Sequence, residues 1–120
     1  MTLLSGVPPP LIAGKISNAF DLSGSRLVLA NAAFDFSGLD FTVRFWFQTN
    51  NAASNGRPLE AFASAGVGIW LFRYEPTTGM FWFVNSTTTI GSTTLSPATW
   101  HHVVGWCKVG VEIGLMIDNL

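Results

Sequence analysis

Cysteine is nearly absent from this chain of 120 residues: Cys107 stands alone, so no internal disulfide can form. Charge is scarce too. Lys, Arg, Asp and Glu supply 11% of the residues and the net charge is −1, roughly half the usual charged share of a soluble domain. The six basic residues are scattered singly. That leaves no basic stripe for a phosphate backbone, and nucleic acid is excluded as a partner. No apolar run reaches the length of a membrane span, so membrane insertion is not expected. Met1 to Pro10 has no basic segment followed by an apolar run and does not read as a signal peptide, which predicts synthesis in a cytoplasm. Helical spacing is missing as well, since no window pairs a cap with apolar residues at three- and four-residue intervals.

What is present is apolar. Hydrophobic residues make up 48% of the chain, with ten phenylalanines and five tryptophans. So much apolar surface on so short a chain predicts that part of it is covered by another chain. The most informative stretch runs from Phe34 to Gln48, a polar turn feeding a strand over Phe41–Gln48. Alternation puts Phe41, Val43, Phe45 and Phe47 on one face, which must be core, and Thr42, Arg44, Trp46 and Gln48 on the other.

Around it the chain reads as short strands. Residues 1–14 form a lead-in stiffened by Pro8-Pro9-Pro10, and residues 15–120 form the domain. Strand-like pieces at Ser17–Leu22 and Arg26–Ala30 flank the turn Ser23-Gly24-Ser25. Thr49–Gly56 is a polar loop, and Leu59–Ala65 resumes strand. Ile69–Tyr74 and Met80–Asn85 form a hairpin around residues 75–79, with Trp70, Phe72 and Tyr74 on one face and Met80, Trp82 and Val84 on one face. Ser86–Thr94 is an edge strand or loop. Trp100–Lys108 and Val111–Ile117 are the last strands. About eight or nine short strands without helix predict an all-β antiparallel sandwich.

Four stretches carry a family resemblance. Gly14-Lys15-Ile16-Ser17-Asn18-Ala19-Phe20-Asp21-Leu22-Ser23-Gly24, Leu39-Asp40-Phe41-Thr42-Val43-Arg44-Phe45-Trp46-Phe47, Trp100-His101-His102-Val103-Val104 and Leu115-Met116-Ile117-Asp118-Asn119 resemble, in order and spacing, the signature segments of laminin G-like, concanavalin A-like domains. The resemblance implies a concanavalin A-like jelly roll and a glycan- or surface-binding role. Family domains continue past the last turn with further strands, whereas this chain stops at Leu120. The strand Val111–Ile117 would then be an open apolar edge, so the fold is expected to be incomplete, completed by a partner chain, or closed by the N-terminal segment. Asn119 stands where the family has Gly, in a turn that Asn tolerates.

Catalytic chemistry finds little support. No two acids are spaced to share a strand face as a glycosidase pair, although such a pair can assemble from different strands. His101 and His102 are adjacent in a strand and point to opposite faces, so they cannot chelate one ion together. His101 and Cys107 share a face but lie on the order of 20 Å apart. One histidine is expected in the core and the other at the surface, with Cys107 a small buried hydrophobe. Some relatives bind calcium; Asp35, Asp40, Asn50, Asn51 and Asn55 supply hard oxygens, but without the spacing of a calcium loop. No cofactor is therefore expected, calcium remaining the one alternative.

The expected function is that of a non-catalytic, lectin-like structural module of a larger homo- or hetero-oligomeric assembly. A virion component such as a phage decoration or tail protein, or another extracellular protein reached without a signal peptide, fits this pattern. A purely structural capsid or tail subunit and a glycoside hydrolase are the alternatives. The candidate glycan surface comprises Arg44, Trp46, Gln48, Asn50, Asn51 and Asn55. The alternative for that face is a layer buried against another subunit.

Overall fold

A computed structural model describes residues 2–3, 11–15, 18–20, 27–28, 36, 38–49, 55–62, 68–85, 87–91 and 95–118. The chain divides into two compact units, Met1–Ala33 and Phe34–Leu120. In the first, β1 (Thr2–Leu3) pairs antiparallel with β4 (Leu27–Val28), and β2 (Leu11–Ala13) with β3 (Asn18–Phe20). Strands thus occur within the stretch read as a lead-in; the triple proline lies outside the described residues.

The second unit holds two antiparallel sheets. Strands β5 (Phe41–Phe47), β10 (His101–Lys108) and β11 (Glu112–Ile117) form one, in the order β11-β10-β5. Strands β6 (Gly56–Phe62), β7 (Gly68–Glu75), β8 (Gly79–Val84) and β9 (Thr87–Ile90) form the other, in sequence order. All described elements are strands, so the all-β sandwich reading holds, and among the described residues no helix is long and apolar enough to cross a membrane.

Alternation in β5 does what the pattern demands. Phe41, Val43, Phe45 and Phe47 pack against the buried cluster of Trp70, Phe72, Tyr74, Met80, Trp82 and Val84 from the facing sheet. Phe45 meets Phe72 edge-on at 4.8 Å between centroids, and Phe47 meets Tyr74 at 5.6 Å, geometries that suit the ring quadrupole. Phe72 and Trp82 stack at 4.3 Å directly beneath β10. There the strand carries Gly105, where an added Cβ would lie 2.7 Å from Phe72 Cζ and 2.8 Å from Trp82 Cδ2. Only a residue without a side chain lets the sheets approach this closely. The fully buried Trp82 donates its indole N–H to Trp106 O at 3.0 Å, joining the two sheets and avoiding the cost of an unsatisfied buried donor.

Boundaries differ from the sequence reading where polar or cyclic residues hide a strand. β6 begins at Gly56, inside the expected loop, and runs through Pro58. Among the described strands β6 is an edge, where the missing proline N–H costs nothing, and its register shifts beside Leu59. β5 ends at Phe47, leaving Gln48 outside. Val111 lies in the turn before β11, and β9 is the expected edge strand. The left-handed residue of the last turn is Asp118, with φ 52°; Asn119 is outside the described residues.

Candidate functional site

The outer face of the three-stranded sheet is built by pairing, row by row. β10 runs antiparallel to both neighbours, which sets His102 opposite Trp46, Val104 between Arg44 and Met116, Trp106 between Thr42 and Gly114, and Lys108 opposite Glu112. The core-facing residues of the same strands lie at the intervening positions, so these rows point away from the core.

Two indoles shape this face. Trp46 is 38% exposed and lies against the His102 ring, 4.9 Å between centroids and tilted by 33°. Trp106 lies over Gly114, where any added Cβ would overlap its six-membered ring. Its Nε1 donates to Glu112 Oε1 at 3.2 Å. The glycine backbone beneath and the carboxylate beside it hold the ring in place, and the residue remains half-buried. Arg44 is exposed between these rings, and among the described residues it has no hydrogen-bond or ion-pair partner.

The adjacent histidines divide as expected. His101 is buried: Nδ1 lies 2.7 Å from Asp118 Oδ2, and Nε2 lies 3.0 Å from Ser96 O. A carbonyl only accepts, so Nε2 donates there, and Nδ1 donates to Asp118 when the ring carries both protons. The His102 N–H donates to Asp118 Oδ1 at 2.8 Å, and the Asp118 N–H returns a bond of 2.9 Å to His102 O. Burial acts to raise the Asp118 pKa, but the hydrogen bonds from His101 and the His102 backbone, with the charge of both histidines, hold it below the ordinary carboxylate value. Two signature segments, Trp100-His101-His102 and Ile117-Asp118, therefore meet in one structural clasp.

Other candidates lie elsewhere. Gln48 is half-buried just past β5, and Asn55 is exposed ahead of β6 in the other sheet; Asn50 and Asn51, like Asp35, fall outside the described residues. Asp40 Oδ1 accepts from the Val109 N–H at 2.8 Å, which commits it to the β10–β11 turn. Among the described residues no three acidic, histidine or cysteine side chains converge as a metal site. Cys107 is half-buried, its thiol pKa raised by burial and then by the nearby Asp40 carboxylate. It borders an open cleft of about 360 Å³ at the β10–β11 turn, with Phe41, Val84 and Ile113 in the walls and exposed Leu39 and Val111 at the rim.

Sequence reasoning named Arg44 and Trp46 on this face and did not name His102, Trp106 and Gly114, which strand pairing sets beside them. The signal was available only as strand alternation in His102-Val103-Val104-Gly105-Trp106, since nothing local says which strand lies beside β5.

Comparison with known proteins agrees with this architecture. Residues 22–118 match the family model described as the concanavalin A-like lectin/glucanases superfamily, a laminin G-type family. No curated protein and no solved structure matches the chain. With the match spanning both sheets and both segments of the His101–Asp118 clasp, the chain belongs to the concanavalin A-like lectin/glucanases superfamily.

Proposed function

We infer that the chain is a non-catalytic, glycan-binding module, and that the outer face of the three-stranded sheet is its binding surface. The observation that carries this reading is the pair of indoles on this face, the exposed Trp46 and the half-buried Trp106 that Gly114 and Glu112 hold in place. Sugar rings present apolar C–H faces that stack on such a surface, while Arg44 and His102 supply donors for hydroxyls. Glu112 is the one carboxylate on this face among the described strand residues, and it is engaged with Trp106. Hydrolysis by an acid pair would need a second carboxylate beside it, which favours binding over catalysis.

A binding module acts by holding something larger to a surface. The scarcity of charge and the exposed Leu39, Val109 and Val111 around the cleft support contact with further protein chains, as in a virion decoration or tail assembly. The test is a glycan array followed by titration of Trp46→Ala and Trp106→Ala. Each variant is expected to lose affinity about tenfold or more, equivalent to ~1.4 kcal/mol, while its far-UV circular dichroism stays unchanged. A folded chain that binds no glycan rejects the reading in favour of a purely structural subunit. Release of reducing sugar from a polysaccharide panel rejects it in favour of an enzyme.

A further inference from the structure

Asn55 stands directly before Gly56, and no other asparagine of the chain is followed by glycine. Both residues are exposed, at the point where β6 begins. Gly56 pairs with Tyr74, but the next pairing on β6 is Leu59 with Phe72. Arg57 and Pro58 thus stand opposite Arg73 alone, and the extra residue bulges. The bulge separates the Gly56 bridge from the continuous ladder that starts at Leu59. β6 has no partner on its other side among the described strands. A bridge placed at the end of an edge strand opens at little cost. A Cβ built on Gly56 meets no described atom within 4 Å, so there is room around the pair for its backbone and side chain to turn.

We propose that Asn55-Gly56 is a self-modification site, where the folded chain deamidates and rearranges its own backbone at the head of β6. The Gly56 amide nitrogen, its proton taken by hydroxide, bonds to Asn55 Cγ. The Cγ–Nδ2 bond breaks, ammonia leaves, and a five-membered succinimide remains. Water then opens one of the two ring C–N bonds that hold the Gly56 nitrogen. Cleavage at Cγ gives aspartate on an ordinary backbone. Cleavage at the main-chain carbonyl carbon gives isoaspartate, whose backbone runs through the side chain. Water is the co-reactant consumed. The nitrogen must swing onto Cγ, and a following residue without a side chain leaves that swing unhindered. Either product adds a carboxylate to a chain of net charge −1. Isoaspartate also lengthens the main chain by one methylene, which moves Gly56 off Tyr74 while the ladder beyond the bulge keeps its register.

The test is incubation of the whole folded chain at mildly alkaline pH, followed by peptide mass mapping for conversion of amide to acid. Methyl transfer by an isoaspartate-specific methyltransferase gives a second readout. Asn55 is expected to convert at least about tenfold faster than Asn85, which is also exposed but precedes Ser86, and to take up methyl groups. Its rate in the folded chain should lie within about tenfold of its rate in urea, because the fold leaves the site open. Gly56→Ala has space for its methyl group and is expected to slow conversion by about tenfold or more, with the circular dichroism unchanged. Asn55→Gln should abolish the methyl uptake. Conversion led by another asparagine, parent-like rates in Gly56→Ala, or protection by folding of more than about tenfold overturns the proposal.

Discussion

Arg44 and Arg73 occupy comparable places, each between core-facing neighbours of its own strand and each on the outer side of its sheet. Their surroundings differ. The Arg73 guanidinium lies 4.8 Å from the centroid of Phe81 and 4.9 Å from that of Phe83. Its Nε sits 3.0 Å from Glu75 Oε1, off the N–H direction, so the contact is an ion pair rather than a hydrogen bond. Phe81 is only 9% exposed although it points away from the core. Arg44 has a valine opposite it and no counterion among the described residues. The same residue type thus covers rings on one sheet surface and stands exposed without a counterion among the described residues on the other. A cation beside a ring is a binding feature only when the rest of the protein has not already used it.

The comparison breaks most visibly at Arg73. Arg73→Ala removes two cation–π contacts and uncovers Phe81 and Phe83, and is expected to cost about 1–2 kcal/mol, read as a lower urea midpoint with an unchanged slope. Arg44→Ala should cost less than ~0.5 kcal/mol in the same measurement. Equal losses would erase the distinction between the two faces.

Next in size is Gly114→Ala. Its methyl group occupies the space of the Trp106 ring, so the indole must lift from the sheet. Stability is expected to fall by about 1 kcal/mol, with glycan affinity lost and tryptophan emission shifted. Unchanged emission would show that the ring does not rest there.

Acid should act on the three-stranded sheet first, through the clasp. The Asp118 pKa is lowered in the fold, so its stabilising contribution is present above the unfolded value near 4 and is lost as pH falls through the folded value. Asp118 is substantially exposed, so the effect is modest. Melting temperatures between pH 5 and pH 2 should fall less steeply in Asp118→Asn than in the parent chain, and parallel curves would remove the clasp from the account.

The smallest effect belongs to the core between the faces. The Tyr74 hydroxyl is buried and has no hydrogen-bond partner among the described residues, so Tyr74→Phe should change stability by under ~0.5 kcal/mol or raise it. A loss above 1 kcal/mol would reveal a hydroxyl partner.

Much of this was legible in the chain. The alternation in Phe41–Phe47 assigned the core face, the hairpin arms put Trp70, Phe72, Trp82 and Tyr74 on inward faces, and adjacency forced His101 and His102 apart. The difference between Arg44 and Arg73 was not legible, because both stand in similar aromatic contexts and the deciding residues, Phe81 and Phe83, come from a neighbouring strand. Trp106 was counted among five tryptophans and not singled out, since its partner Gly114 is brought beneath it only by pairing register. Local pattern assigns faces; long-range pairing assigns neighbours.

The bond from the Trp82 indole to the Trp106 carbonyl has a consequence for recognition. It ties the backbone under the outer ring to a fully buried side chain of the opposite sheet. With the backbone fixed from below and the ring itself held by Gly114 and Glu112, few degrees of freedom remain at this position to be lost in any binding event. Affinity on an open face then depends less on the number of contacts than on how few degrees of freedom the surface retains.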